Sequence, residues 1–307
     1  MYFGIKNFIF KKYKKIINIS NIKLSILENV FKENLEDILK IRTLIFKIKD
    51  EKIRNFFIIG MISTLDEVGY AKKDGNGLKY PKNKLVPKFN KVFFEKIELM
   101  LLDLKNYIFK NSPSSNLVLC DSRNISEKDL TALRNKTSLV VFSPPYANCF
   151  DYSEVYKLEL WLGGYVNKYE DLAKIRNMSL SSHLNKILSS YEEHPLIKND
   201  LKILKNRKLW SKKILQMLSG YFCDMEKILK NSYEILINGG YCVIIVGNSA
   251  YSGHIIKTDL ILSKIAKNIG FSEIEINITR KLRASSQQAR FFKNDNTLRE
   301  SVVIMKK

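Results

Sequence analysis

The chain has 307 residues, 45% hydrophobic and 27% charged, enough length and apolar content to bury one large core or two ordinary ones. No apolar stretch approaches the roughly 18 residues of a membrane span, and residues 1–17 lack the apolar core and small-residue cleavage site of a secretory signal. Lysine and arginine number 52 against 31 acidic residues, a formal charge of +21. A polyanionic partner explains that excess, and so does the Lys-, Asn- and Ile-rich coding of an AT-rich genome.

From residue 18 to about 110 the pattern predicts helices. Leu24, Ile26, Leu27, Val30, Phe31, Leu35, Ile38 and Leu39 recur at three- and four-residue spacing. An apolar segment at 56–65 gives way to Asp74-Gly75-Asn76-Gly77, a turn signal made basic by Lys72, Lys73, Lys79, Lys82 and Lys84. That loop could touch phosphates or simply be solvated. Helical periodicity returns over 94–110.

The second half alternates strand and helix. Residues 116–121 predict a short strand, and 127–135 a helix with Ser126 as its cap. Leu139–Phe142 predicts the next strand, followed by Ser143-Pro144-Pro145-Tyr146 and a helix over 153–161. Residues 166–210 read as polar and helical. A long amphipathic helix at 214–236 is expected to stop at Asn238-Gly239-Gly240. Tyr241–Val246 is an unbroken apolar run of the kind buried on both faces of a sheet. A helix over 257–269 and strands at 272–278 and 301–305 complete an α/β layered sheet with helices on both faces. There is no internal repeat. The four cysteines (Cys120, Cys149, Cys223, Cys242) have no metal-like spacing and read as buried free thiols of a cytoplasmic protein, and His183, His194 and His254 suggest no metal site.

The Ser-Pro-Pro-Tyr turn carries the chemistry. Two prolines fix φ near −65° and remove two donors, so nearby carbonyls are free to face a ligand. Tyr146 offers an aromatic face for a base, and Ser143 a hydroxyl within reach of an exocyclic amine. In open α/β sheets ligands sit at the carboxyl ends of strands, where this chain places Asp121-Ser122-Arg123, Ser143–Tyr146, Gly247-Asn248-Ser249 and Arg280. Plainer roles are open for Asp121, as a turn cap, and for Asn248, as a partner for loop backbone. Arg280, Arg283 and Arg290 alternate with Ser285, Ser286, Gln287 and Gln288 in what is either a solvated hairpin loop or a DNA-contacting one, arginines on phosphates and glutamines on base edges.

Ser143–Tyr146 resembles the catalytic motif of the DNA amino-methyltransferases, which move a methyl group from S-adenosyl-L-methionine to N4 of cytosine or N6 of adenine. The resemblance covers residues 116–307. It implies catalytic Ser143, Pro144, Pro145 and Tyr146, with Asp121 and Ser122 near the cofactor and Asn248, Ser249 and Asp151 at the base pocket. It also implies double-stranded DNA contacted by Arg280, Arg283, Gln287, Gln288 and Arg290, and no metal. The Ser-Pro-Pro-Tyr spelling favours cytosine N4, as in restriction-modification systems. Adenine N6 and a noncatalytic DNA-binding subunit or truncated remnant are the alternatives. The expected organisation is a helical region at 1–112 and a methyltransferase region at 113–307, with 166–210 as a possible target-recognition insertion. The family's glycine-rich cofactor loop, Asp-Pro-Phe-x-Gly-x-Gly-Thr, is not found: Gly4, Gly75 and Gly77 have the wrong flanks. The expectation is a partial Rossmann-like methyltransferase sheet without its first two strands, which would lie between the 116 and 139 strands. A second polypeptide bearing the loop would complete it.

Overall fold

The computed structural model describes residues 25–75, 77–106, 115–186, 192–284, 286–292 and 298–307, with the backbone alone for Ser286 and Gln287. The helical expectations at 18–24 and 107–110, Asn76, Ser285 and the side chain of Gln287 therefore lie outside the described residues. Two compact units form, one of Met1–Ser115 with Tyr152–Leu172 and one of Asn116–Asp151 with Ala173–Lys307. No described helix is long and apolar enough to cross a membrane.

The first unit is helical. Its elements are α1 (Ser25–Phe31), α2 (Leu35–Ile45), α3 (Glu51–Ser63), α4 (Leu65–Val68) and α5 (Phe89–Asn106), with a small hairpin of β1 (Lys72–Asp74) and β2 (Gly77–Lys79). Short helices at Tyr152–Val155 and Lys157–Leu162 join the same unit. Phe31, Ile38, Met61, Leu65, Phe89, Phe93 and Leu162 are fully buried in one core. The periodicity of 24–39 predicts a single helix, but a 3-10 turn at Lys32–Asn34 divides it. The cause is Asn34, which is buried and spends its amide on tertiary bonds. Its Nδ2 donates to the carbonyls of Val68 (3.1 Å) and Pro87 (2.9 Å), and its Oδ1 accepts from the Phe89 N–H (3.0 Å). Two cations of the basic loop are also committed. Lys84 donates to the carbonyls of Asp66, Gly69 and Ala71, and Lys73 pairs with Glu159 and Asp66.

The second unit is a mixed α/β layer. In chain order it contains α6 (Glu127–Leu133), β3 (Thr137–Phe142), α7 (Lys213–Ile235), β4 (Leu236–Gly247), the hairpin β5 (Ser249–Tyr251) and β6 (His254–Ile256), α8 (Thr258–Ile269), β7 (Ile274–Leu282) and β8 (Leu298–Lys306). The main sheet runs β3-β4-β8-β7, parallel between β3 and β4 and antiparallel elsewhere. Leu218, Phe222, Met225 and Leu229 of α7 and Leu262, Ile265 and Ala266 of α8 bury one face, against Cys242, Ile244, Val246, Val303 and Met305. The opposite face is more open than the apolar run suggests: Leu139, Val141 and Tyr241 are 53%, 56% and 41% exposed.

Two elements of this unit also differ from expectation. Residues 116–121 form no strand, and Leu117, Val118 and Leu119 are 99%, 68% and 105% exposed. A strand needs a neighbour for its N–H and C=O groups, and β3 has only β4 beside it among the described residues. Gly239-Gly240 does not cap α7 either. The helix ends at Ile235, Leu236 is already extended, and Gly239 (φ 79°) donates its N–H to the Lys307 carbonyl at 2.8 Å within β4. Sheet pairing claims the backbone that a cap would use. Of the cysteines, Cys149 and Cys242 are buried as expected, but Cys120 is exposed and Cys223 half-buried.

Replacing Asn34 by leucine leaves three backbone groups without this partner, two in buried hydrogen bonds and one in a half-buried one. The expected loss of stability is about 1–3 kcal/mol per unpaired group, read as a lower urea midpoint, and an unchanged midpoint contradicts the assignment.

Candidate active site

The site is built at the carboxyl end of β3. Ser143 is exposed, Pro144 buried and Tyr146 half-buried. The Ser143 hydroxyl donates to the Ile245 carbonyl of β4 at 3.1 Å. Its proton is thereby committed, which leaves the oxygen lone pairs as acceptors. The Tyr146 hydroxyl donates to Glu300 Oε2 of β8 at 2.6 Å, and the same carboxylate is forked by Arg280 of β7 at 2.9 Å on each oxygen. The Arg280 guanidinium and then the tyrosine bond hold Glu300 below the usual carboxylate range. Burial, with Glu300 second, pushes the Tyr146 phenol up to about 12.

Glycine makes the ring position possible. A Cβ on Gly247 would stand 2.7 Å from Cδ2 and Cε2 of Tyr146, so only glycine lets the ring lie against the end of β4. Beneath the turn, the buried Tyr251 of β5 donates to the Ala147 carbonyl at 2.6 Å. The Asn148 N–H donates back to the Tyr146 carbonyl at 2.8 Å. Both ends of the turn are therefore held by long-range contacts or by its own backbone.

A depression of about 290 Å³ opens here, with Tyr146, Asn148, Asn248, Ser249, Arg283 and Gln288 among its lining. Asn248 is buried: its N–H donates to the Arg299 carbonyl (2.9 Å) and its Oδ1 accepts from the Asp259 N–H (3.3 Å). Its NH2 remains as a donor. The buried Ser249 hydroxyl has no hydrogen-bond partner among the described residues. Ser143, Pro144 and Pro145 are not among the residues lining the depression. The Tyr146 ring and the two buried polar groups that do line it suit a flat heterocycle bearing an amine.

The other sequence-predicted residues lie elsewhere or are otherwise engaged. Asp121 is bound through both oxygens by Arg123 (2.6–3.1 Å), whose hydrogen bonds hold its carboxyl below the usual range. Ser122 is exposed and its carbonyl accepts from Asn231 at 2.8 Å. Asp151 is buried with Asn185 at 2.8 Å, Arg176 at 3.4 Å and His183 at 3.7 Å, and is not among the residues lining the depression. Arg280 lies within β7, which runs on to Leu282, rather than in a loop after it. Gln288 accepts from the Gly253 N–H at 3.3 Å, and Arg290 lies over the Phe291 ring at 4.8 Å. Glu300 and Tyr251 are the residues that sequence reasoning missed. Neither sits in a motif, and each meets the turn only through sheet or hairpin geometry. Among the described residues no group of three His, Cys, Asp or Glu side chains is placed to hold a metal ion.

No known family profile matches the chain. It is 26% identical over 310 residues to the Type II methyltransferase M.AvaI of Nostoc sp. PCC 7120, covering 87% of this chain and 62% of that protein, and matches M.AvaI of Anabaena variabilis to the same extent. It is also 26% identical over 375 residues to the Type II methyltransferase M.BsoBI of Geobacillus stearothermophilus, covering 99% of this chain and 73% of the relative. The chain thus spans under two thirds of the length of M.AvaI. A candidate DNA modification methylase of Thermus thermophilus, solved with S-adenosyl-L-methionine, overlaps 62% of this chain and 54% of its own at 14% identity and a TM-score of 0.31, too loose a fit to carry an argument.

The raised Tyr146 pKa sets an alkaline dependence. The unfolded phenol loses its proton near pH 10, whereas the folded one keeps it to about 12. The stabilisation is complete below the unfolded value and is lost as pH rises through the folded one. The stability gap between the native chain and Tyr146→Phe is expected to narrow between about pH 10 and 12, as followed by urea midpoints. A constant gap would contradict the burial and hydrogen bonding described.

Proposed function

We propose that the chain is the base-holding part of an S-adenosyl-L-methionine-dependent DNA methyltransferase of restriction-modification type, acting on an exocyclic amine, with N4 of cytosine favoured by the Ser-Pro-Pro-Tyr spelling. The observation that carries it is the rigid Ser143–Tyr146 turn beside the polar depression. The likeness to Type II methyltransferases along most of the chain supports it. A base flipped from the duplex would sit beside the Tyr146 ring. Its NH2 would donate to Ser143 Oγ and to a carbonyl of the Pro144–Pro145 turn. Those bonds draw the nitrogen toward sp3 geometry and concentrate a lone pair otherwise delocalised into the ring. Positioning and preorganised hydrogen bonding are the contributions these residues can make.

S-adenosyl-L-methionine is the methyl donor this reading implies, and the described residues do not fit it. The carboxylate of Asp121 is spent on Arg123, Ser122 is an isolated exposed hydroxyl, and no described glycine-rich turn joins a strand to a helix. A second polypeptide bearing that turn is therefore part of the proposal. It is supported by the one-sided pairing of β3, the exposed Leu117-Val118-Leu119 segment and the open face at Leu139, Val141 and Tyr241. Residues 113–307 would be the catalytic region, 1–112 a helical region, and 166–210 a target-recognition insertion.

Mass spectrometry of nucleosides from cells expressing the chain, with and without the genes that flank it, checks the activity. N4-methylcytosine is expected only with the partner; N6-methyladenine would move the assignment to adenine, and no product under either condition leaves the noncatalytic reading. Tyr146→Ala and Pro144→Ala are expected to abolish methylation, and retained activity would remove the catalytic assignment. Calorimetric titration of the isolated chain with S-adenosyl-L-methionine is expected to give no micromolar binding; finding it would sink the split-enzyme part.

A further inference from the structure

A second cleft of the same unit is both basic and aromatic. Arg207, Lys208, Trp210, Ser252, Arg290 and Phe291 line a depression of about 810 Å³, and among the described residues no acidic side chain lines it. Trp210 and Phe291 are 61% and 45% exposed, although large apolar rings are ordinarily buried. The walls are built rather than loose. Arg207 Nη1 donates to the Ser252 carbonyl, and the Ser252 hydroxyl donates to the Lys208 carbonyl at 2.7 Å. Gly253 (φ 78°) is hemmed by Phe291 and Arg207, since a Cβ there would lie 3.1 and 3.2 Å from them.

The cleft adjoins the base depression. Tyr251 lines one and Ser252 the other; Gln288 lines one and Arg290 the other. The Gln288 bond to the Gly253 N–H ties the two walls together. Cations follow a phosphate backbone as sequence-independent contacts, and an exposed indole is a surface on which an unpaired base stacks. Guanidinium over an aromatic ring, as Arg290 lies over Phe291, keeps the cation pointed without neutralising it.

We infer that this cleft binds the DNA strand next to the flipped base, with Lys208 and Arg290 on its phosphates and Trp210 stacked on a splayed nucleotide. The inference rests on the reading of the chain as a DNA-acting protein, and assigns that protein a strand-holding site apart from the Ser143–Tyr146 turn. Arg207 is mainly structural here, because its guanidinium supports the Ser252 turn.

Fluorescence anisotropy of the full chain on a labelled duplex, repeated over a salt series, tests it. Trp210→Ala should weaken binding about tenfold with the salt slope unchanged. Lys208→Ala with Arg290→Ala should lower the slope by about 2, close to 0.9 for each phosphate no longer neutralised. A charge-matched pair on exposed helix positions, Lys128→Ala with Lys264→Ala, should leave both nearly as in the native chain. Circular dichroism checks that each variant folds. Cleft variants that bind like the native chain, or a control pair that weakens binding as much, overturn the site. If no expression context yields a methylated base yet the cleft variants still lose affinity, the catalytic reading fails and the cleft stands. A native chain with no affinity for duplex overturns both.

Discussion

The hydrogen bond from Tyr146 to Glu300 is the contact on which the site depends. A carboxylate this close to burial is costly unless its charge is answered. Arg280 answers it from β7, and Tyr146 takes the remaining direction from the turn after β3. One acidic side chain therefore fixes a loop from one edge strand to the strand at the far edge, across β4 and β8. Gly247 is the condition for that reach, because any side chain there would push the ring off β4. Tyr251 fixes the next residue from the other direction by holding the Ala147 carbonyl. What the turn offers a ligand is a set of atoms that need not reorganise when it arrives, and that is where hydrogen-bonding groups contribute most.

What could be read from the sequence follows a physical division. The Ser143–Tyr146 turn was legible because a Pro-Pro pair after an apolar run is a local signal. The strands β3, β4 and β8 were legible for the same reason, and Ser126 does cap α6, through its bond to the Asp129 N–H at 3.2 Å. Glu300 was not legible, since its role comes from standing opposite Gly247 in the β4–β8 register, 154 residues from the tyrosine it binds. Residues 116–121 failed in the opposite sense. Their apolar pattern is that of a strand, but pattern says nothing about whether a partner strand is present. Gly239-Gly240 carries a helix-stop signal and a strand can use the same residues, so pairing with Lys307 decided between them.

The segment after that unpaired stretch is not loose. Arg123 binds Asp121, reaches Asp224 of α7 at 3.0 Å and donates to the Met178 carbonyl at 2.6 Å. Asp224 in turn accepts from the N–H and hydroxyl of Ser181 at 2.9 and 2.8 Å. Burial lowers the Lys186 ammonium beside this group, with Asp224 opposing the shift. So the chain that leaves the exposed Leu117-Val118-Leu119 is pinned within three residues. The Asp121 carboxylate accepts from both the N–H and the guanidinium of Arg123, which ties the backbone there.

That anchoring bears on how an open sheet can stay folded and yet accept more strands. β3 is six residues long, its register with β4 shifts between Thr137 and Leu139, and two prolines follow it. Short length, irregular register and missing donors are features that keep an edge from pairing indiscriminately. A strand added beside β3 must therefore bring its own apolar cover for Leu139 and Val141. It would find residues 117–119 already tethered at Asp121, so part of the ordering entropy has been spent in advance. Fit to a fixed edge and a fixed face together is a stricter requirement than fit to either alone.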